Sequence, residues 1–469
     1  VSRVLLLNPP GRKNYIRDYF CSKVSKSYYK SEPATLLGLS GTIAARHEVA
    51  VLDAIVENLG VEGSLTRIER FRPEAVVSLV GAVSWEEDKA FLAQVKARTH
   101  AYLIAVGDIL LEAAEERLAE APAIDAALLN FMSQDVLALL SPNRERTVPN
   151  SVRRHPDGGF RRGEKTSLPR EFSLPRPRHE FFPLRRYRFP FMVASPLAVV
   201  LTDYGCPFHC DFCVISGLGF GVRRLPEVLE ELAFLRRQGV REIFFIDQTF
   251  GARRDRTLAL CRAMVEQKWR FTWSCFSRAD VTPPELLAEM ARAGCHTIIY
   301  GVESGSDALL SRYHKQLELR KIRETFLACR RAGIRVAATF ILGLPGETEL
   351  QARATISLAL SLPLDFAAFN VAVPRAGTRL RSQAVSEGLI DAGMKTMDQS
   401  GVAGAMGTHE LSAERVLALR REANRRFYLR PGYWLRRLLT LRSAWDFKTQ
   451  VREGWGLLQE ALAGRREET

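Results

Sequence analysis

Apolar residues fall in short, strand-sized runs separated by amphipathic stretches along most of the chain. In residues 1–141 the apolar runs are Val4–Asn8, Glu48–Asp53, Ala75–Val80, Ala101–Gly107 and Asp125–Asn130. Helical patterns fill the intervals at Ala34–Arg46, Ser64–Phe71, Glu86–Ala97 and Ala113–Ala119. Apolar strands alternating with amphipathic helices predict a parallel sheet covered on both faces. Repeated along the segment, they predict a doubly wound, Rossmann-like α/β domain. Ligands in such folds bind at the carboxyl ends of the strands. Here those ends carry Asn8-Pro9-Pro10, Asp53, Gly81-Ala82-Val83-Ser84 and Gly107-Asp108. Asn8, Asp53, Gly81 and Gly107 are therefore candidate cofactor contacts.

Residues 142–195 lose the alternation and are rich in Pro, Arg and Gly, with a turn at Pro156-Asp157-Gly158-Gly159. They read as an extended linker, and Phe181, Phe182, Tyr187, Phe189 and Phe191 predict docking rather than free disorder. The alternation returns with strands expected at Ala198–Thr202, Ile243–Asp247, Phe271–Cys275, Thr297–Gly301, Val336–Leu342 and Phe366–Val373. Helical crossovers between them predict an open, partial TIM-type barrel, whose chemistry sits at the carboxyl ends of the strands. The tail reads as helix at Ala413–Phe427 and Trp434–Thr440. The expected organisation is thus a domain over 1–145, a linker over 146–195, a barrel over 196–400 and a helical extension over 401–469.

The net charge is +14, and a large share of the excess lies in the Arg-rich segment around residues 150–195. Clustered Arg admits an anionic substrate, nucleic acid or an acidic membrane surface; the bland reading is a solvated basic face. The second tail helix sets Trp434, Leu435, Leu438 and Leu439 beside Arg436 and Arg437. It reads either as a helix packed on the barrel or as contact with a membrane surface or lipid-like substrate. No apolar stretch approaches the ~20 residues of a membrane span, and no leader is expected at the N-terminus. Eight cysteines are too few for a disulfide scaffold in 469 residues. A cytoplasmic, reducing setting is expected, with peripheral membrane contact as the variant.

Three of the cysteines, Cys206, Cys210 and Cys213, form a C-x3-C-x2-C loop just after the first expected barrel strand. Iron–sulfur cubanes normally take four thiolates. Three on one loop leave one iron open to a substrate or cofactor. A structural zinc site wants four Cys or His ligands, usually in paired knuckles, and His209 sits between two of the cysteines on the same tight turn. The first 150 residues contain only Cys21, and no Cys follows Cys329, so a single 4Fe-4S cluster is predicted.

The loop, with Phe212 before its last Cys, resembles the radical S-adenosylmethionine (SAM) superfamily. The resemblance continues through Gly301-Val302-Glu303-Ser304-Gly305, Phe340-Ile341-Leu342-Gly343-Leu344-Pro345-Gly346-Glu347-Thr348 and Pro374-Arg375-Ala376-Gly377-Thr378. It implies that the open iron chelates SAM and that reductive cleavage yields a 5′-deoxyadenosyl radical. It also implies cofactor contacts at Phe212, Asp247, Gln248, Ser277, Arg278, Glu303, Ser304, Gly343 and Pro345. A Rossmann-like domain before such a barrel resembles the cobalamin-binding subclass, which includes anaerobic Mg-protoporphyrin cyclase and radical C-methyltransferases. That subclass implies cobalamin as a further cofactor. The subclass's better known Asp-x-His-x-x-Gly pattern is absent: Asp53-Ala54-Ile55-Val56-Glu57 has no His. The expected function is methyl transfer to an unactivated carbon. Oxidation or cyclisation of a tetrapyrrole-, lipid- or natural-product-like substrate is the alternative, and a non-catalytic cobalamin sensor or carrier is the alternative of another class. The implied partners are a small-molecule substrate, anionic or lipid-like, and an external one-electron donor of flavodoxin or ferredoxin type. Nucleic acid is not expected, because the cysteines and terminal β-barrel of RNA-modifying members are missing.

Overall fold

The structure, a computed structural model, describes residues 2–19, 23–24, 30–142, 146–155, 157–393 and 405–439. Cys21 and Thr440 lie outside the described residues. The chain divides into two compact units. One comprises residues 1–25, 29–188 and 220–235, the other 26–28, 189–219 and 236–469.

The first unit is built on strands β1 (Arg3–Asn8), β2 (Glu48–Asp53), β3 (Ala75–Leu79), β4 (Tyr102–Val106) and β5 (Ala126–Leu128). They lie parallel in the order β2-β1-β3-β4-β5. This is a doubly wound sheet whose strand order reverses between β1 and β3. Its strands are buried because helices α1 (Ala34–Ala44), α2 (Val61–Phe71), α3 (Trp85–Thr99) and α4 (Leu110–Glu120) cross over between them. On one face Leu5, Leu7, Val76, Leu103 and Ala127 join Leu65, Phe91 and Leu118 in one core.

The stretch expected to be an extended linker is instead folded. Strands β6 (Ser151–Arg154) and β7 (Phe160–Arg162) add to the sheet antiparallel, next to β5. Val152 and Arg153 are buried on β6, while Arg161 and Arg162 on the edge strand β7 are exposed. Part of the Arg excess there is paired within the unit, while Arg161, Arg170, Arg185 and Arg186 are exposed. Arg162 grips Glu115 through two bonds of 2.5 Å, Arg176 lies 3.8 Å over the Phe234 ring, and Arg176 and Arg178 both pair with Glu180. Further on, His179 is fully buried between Glu32 and Glu231, and Arg223 closes the group on Glu231. Burial disfavours the imidazolium, but the two carboxylates win and lift its pKa to about 9. Two cations thus meet two anions, which is how a buried charge cluster is tolerated.

The second unit carries β8 (Leu197–Val200), β9 (Glu242–Phe245), β10 (Thr272–Ser277), β11 (Cys295–Glu303), β12 (Arg335–Leu342) and β13 (Phe366–Val371). They form one parallel sheet in chain order. The crossovers within this unit are α6 (Arg254–Glu266), α7 (Pro284–Arg292), α8 (Leu319–Arg331) and α9 (Glu349–Ser361), while α5 (Leu225–Arg237), between β8 and β9 in sequence, falls almost wholly in the first unit. This is the expected open barrel. The aromatics that lead into it dock as expected: Phe189 stacks on Phe244 at 3.9 Å and Phe191 meets Phe366 at 4.0 Å. Helix α10 (Ala413–Tyr428) covers the last strand, with Arg420 Nε donating to Phe369 O and Tyr428 OH to Ala367 O. Helix α11 (Pro431–Leu439) follows and leaves Trp434 and Leu435 exposed. Among the described residues no helix is long and apolar enough to cross a membrane.

Candidate active site

The cysteine loop leaves the carboxyl end of β8. It is tied down by its backbone: Cys206 N donates to Gly219 O, and Cys213 N to Cys210 O. Asp211 N donates to Tyr313 O and its carbonyl accepts from Leu380 N. The loop is thus fixed by segments after β11 and after β13. Cys210 is buried, while Cys206 and Cys213 are half-buried. All three are free thiols. Burial raises the pKa of Cys210 and takes that of Cys213 to about 12. They lie in an environment where thiolates form only against a cation. Among the described residues no three Cys, His, Asp or Glu side chains converge as ligands of one metal ion. A cubane needs no such convergence, since each thiolate takes a different iron. Three soft donors without a fourth fit a 4Fe-4S cluster with one open iron.

Two side chains reach the sulfurs. Thr249 Oγ1 lies 3.3 Å from Cys206 Sγ, and Arg278 Nη1 donates to Cys210 Sγ at 3.7 Å. Thr249 follows Asp247 and Gln248 at the end of β9. Asp247 is buried and fully used: it accepts from Thr202 N and Oγ1, both at 2.6 Å, and from Asp203 N at 3.1 Å. It therefore braces the segment that enters the cysteine loop. Asp203 beside it is buried, and its Oδ1 has no hydrogen-bond partner. Burial first, and the Asp247 carboxylate second, push the Asp203 carboxyl well above its ordinary range. Gln248 is half-buried and its Nε2 lies 3.5 Å from Ile246 O. Ser277 Oγ donates to Phe250 O, and so holds the end of β10 to the turn after β9.

Glu303 is the most constrained of the predicted contacts. The ladder between β11 and β12 shifts register between Gly301 and Glu303, and Glu303 sits at φ 70°. A bulge of this kind re-aims a side chain, and a non-glycine residue in that region is uncommon and costs energy. The carboxylate meets Lys315 Nζ at 3.1 Å, with both side chains almost wholly buried. Gly301 makes room for the pair: a Cβ there would sit 2.3 Å from Glu303 Oε1 and 2.9 Å from Lys315 Nζ. Lys315 Nζ also lies 6.0 Å from the centre of the Phe212 ring, which packs against the apolar cluster of Leu309, Tyr313 and Leu344. Ser304 Oγ is turned to Thr355 Oγ1 and accepts from Ser306 N. Gly343 N donates to Glu347 Oε2, and Pro345 O accepts from Tyr313 OH. Gly343 and Pro345 therefore shape the strand-end loop through their backbone. The structure gathers Phe212, Arg278 and Glu303 around the cysteines. Asp247, Ser277 and Ser304 are placed as braces. Lys315, Thr249 and Asp203 escaped the sequence reading. Thr249 lay next to a predicted contact, Gln248, but nothing local marks Lys315.

The strand ends of the first unit are arranged differently. Asn8 Nδ2 donates to Asp53 Oδ1 at 2.9 Å, Tyr187 OH donates to Asp53 Oδ2 at 3.1 Å, and Asp53 caps the short helix Ala54–Glu57 through Val56 N. Arg17, buried and also unforeseen, lies where the strand order reverses. It donates to Asn8 Oδ1, Pro9 O, Pro10 O, Ser84 Oγ and both oxygens of Asp88. Gly81 N donates to the same Asp88 carboxylate. Gly107 abuts Val80 O, which a Cβ would reach at 1.7 Å, so its small size serves strand packing.

A single loop of three free thiols at the strand ends of an open parallel barrel defines an enzyme built around a site-differentiated iron–sulfur cluster. Residues 200–359 match the family model of the radical SAM superfamily. An uncharacterized methyltransferase of Pyrococcus horikoshii is 27% identical over 412 residues, covering 85% of this chain and 88% of that protein. Among solved structures, the radical SAM methyltransferase TsrM from Kitasatospora setae aligns with a TM-score of 0.65 at 19% identity, over 80% of this chain and 74% of that one. The cobalamin-dependent SAM radical enzyme OxsB aligns with a TM-score of 0.72 at 13% identity, over 97% of this chain and 71% of that one. At such identities the two structures speak to the fold alone, and both units are within the aligned range of OxsB.

Proposed function

We propose that this chain is a cobalamin-dependent radical SAM methyltransferase acting on an unactivated carbon of a small molecule. The observation that carries the reading is the joining, in one chain, of a doubly wound domain to a three-thiol barrel. The naming of the Pyrococcus relative and of TsrM as methyltransferases supports the reaction, and the cobalamin dependence of OxsB supports the second cofactor. When bound, the cluster and SAM supply a radical able to abstract hydrogen from carbon, chemistry that no side chain offers. The protein's share is positional. Cys206, Cys210 and Cys213 would hold three irons. Glu303, aimed by its bulge and paired with Lys315, offers a carboxylate to the hydroxyls or ammonium of SAM. Phe212 and the apolar cluster behind it exclude water. In the first unit no His among the described residues directly follows the carboxyl ends of β1 to β4, so those segments would hold a corrinoid without offering it an imidazole. The electron donor is of flavodoxin or ferredoxin type, and a reducing compartment suits the free thiols.

The test uses protein reconstituted anaerobically with iron, sulfide and a corrinoid, then given SAM and a one-electron reductant. Methyl transfer predicts S-adenosylhomocysteine only in the corrinoid-loaded protein, together with 5′-deoxyadenosine. If 5′-deoxyadenosine forms without S-adenosylhomocysteine, the reaction is oxidation or cyclisation and the methyl-transfer reading is wrong.

A further inference from the structure

Arg278 was a candidate SAM contact, but its guanidinium is already engaged. Nε and Nη2 form a two-point pair with Asp280 at 3.0 and 2.9 Å. Nη2 also donates to Lys315 O at 2.8 Å. The guanidinium carbon lies over the Phe208 ring, 3.7 Å from its centre, and Phe208 belongs to the turn between Cys206 and Cys210. The remaining nitrogen, Nη1, is directed at Cys210 Sγ. The residue is 4% exposed. A buried cation is costly to place, and three partners, Asp280, Lys315 O and the Phe208 ring, hold one edge of it against one sulfur. A salt bridge alone would need only Asp280.

We propose that Arg278 sets the reduction potential at the three-cysteine loop, by directing a charged N–H donor to the Cys210 thiolate. The inference rests on the cluster at these thiolates and not on the methyl acceptor. One-electron reduction adds one negative charge at the loop. The electron comes from a flavodoxin- or ferredoxin-type donor and no proton need move. Hydrogen bonds to the sulfurs, local charge and exposure are the levers by which a protein tunes such a cluster. A cationic donor favours the more negative, reduced state. Asp280 lies on the far side of the guanidinium, so the pair keeps its positive end toward the sulfur. The loop contains its own comparison. Cys206 meets a neutral hydroxyl, Thr249 Oγ1, and Cys210 meets the cation. Arg278 is thus a positioning residue: it acts through a ligand of the cluster.

The experiment is a redox titration of the anaerobically reconstituted full chain without SAM, followed by the electron paramagnetic resonance of the reduced cluster. Wild type, Arg278→Gln, Arg278→Lys and Thr249→Val are compared at matched iron content. At a fixed applied potential near the wild-type midpoint, Arg278→Gln should lower the reduced-to-oxidised ratio about tenfold, a shift of about 59 mV for one electron. Arg278→Lys keeps the charge but loses the fork, and should shift the same way by less. Thr249→Val should shift least. An unchanged or raised midpoint in Arg278→Gln overturns the proposal. Should that variant fail to load iron, Arg278→Lys decides alone, and an unchanged midpoint there overturns it. S-adenosylhomocysteine formation, measured separately, tests the methyl-transfer reading and is independent of this outcome.

Discussion

The strand ends of the two sheets carry the same kinds of residue and treat them in opposite ways. In the N-terminal sheet every charge at the carboxyl ends is answered from within the chain. Arg17 and Asp88 are both wholly buried and paired at 2.6 Å, and Asp53 has Asn8, Tyr187 and Val56 as donors. In the barrel, Cys206 and Cys213 are free thiols with burial holding the Cys213 thiol protonated, an oxygen of Asp203 lacks a hydrogen bond, and Glu303 is held in a costly backbone conformation. Unmet demand of this sort persists only where the surroundings over-determine it, and it clusters at functional sites. Polar residues at strand ends are therefore not evidence of a site by themselves; what matters is whether the chain has already satisfied them.

The largest effect expected from this contrast is in the barrel. Cys206→Ala should abolish 5′-deoxyadenosine formation and cut bound iron well below the ~4 per chain of a cubane, while circular dichroism shows an intact fold. Retention of both iron and product would break the assignment of the loop. Next comes the N-terminal sheet, where Arg17→Ala leaves Asp88 buried without its partner. A loss of about 3–5 kcal/mol in unfolding free energy is expected, measured in urea. Little loss would mean that water enters the switch point and that the sheet end is open after all. Third, Glu303→Gln should weaken SAM binding by roughly 10–100-fold, the worth of a charge-assisted hydrogen bond of about 1.5–3 kcal/mol. Calorimetry on the cluster-loaded protein reads it, and unchanged affinity would make Glu303 a brace like Asp247.

The smallest effect is a pH dependence. Burial raises the Asp53 carboxyl from 3.8 to about 6, against the pull of Val56 N, Tyr187 and Asn8. The folded protein then keeps this proton longer than the unfolded chain does. Its contribution to stability falls as pH rises from 3.8 to about 6 and is level above. Asp53→Asn removes that fall, so its stability relative to wild type should climb across this window and then flatten. A constant difference from pH 4 to pH 7 would show that the three donors keep Asp53 ionised.

Much of this was legible in the chain. The apolar runs of β1 to β5 and β8 to β13 are dense enough to mark buried parallel strands, and C-x3-C-x2-C names its own chemistry. The rest was hidden for two physical reasons. Buried ion pairs join residues far apart, as Arg17 and Asp88 are, 71 positions distant, and nothing local distinguishes such an Arg from a solvated one. The backbone can also re-aim a residue without a sequence signal: the bulge at Gly301–Glu303 decides where the carboxylate goes, and nothing in the segment that marks Glu303 as a contact announces that bulge. Strands β6 and β7 escaped because Arg dominates them and a lone Val152 carries the alternation.

The buried group of His179, Glu32, Glu231 and Arg223 has a consequence for how such a chain can be recombined. Glu231 and Arg223 precede β9 in sequence, between two strands of the barrel, yet they belong with the N-terminal unit. The chain thus returns to its first unit after the second has begun. A single crossover at any point from 1 to 469 cannot release the barrel with its own partners intact. A cut between His179 and Arg223 would part His179 and Glu32 from Arg223 and Glu231, and a cut after Glu231 would leave β8 and the cysteine loop behind. The two units should therefore pass through evolution, or through a protein engineer's hands, as one inherited block rather than as interchangeable cassettes.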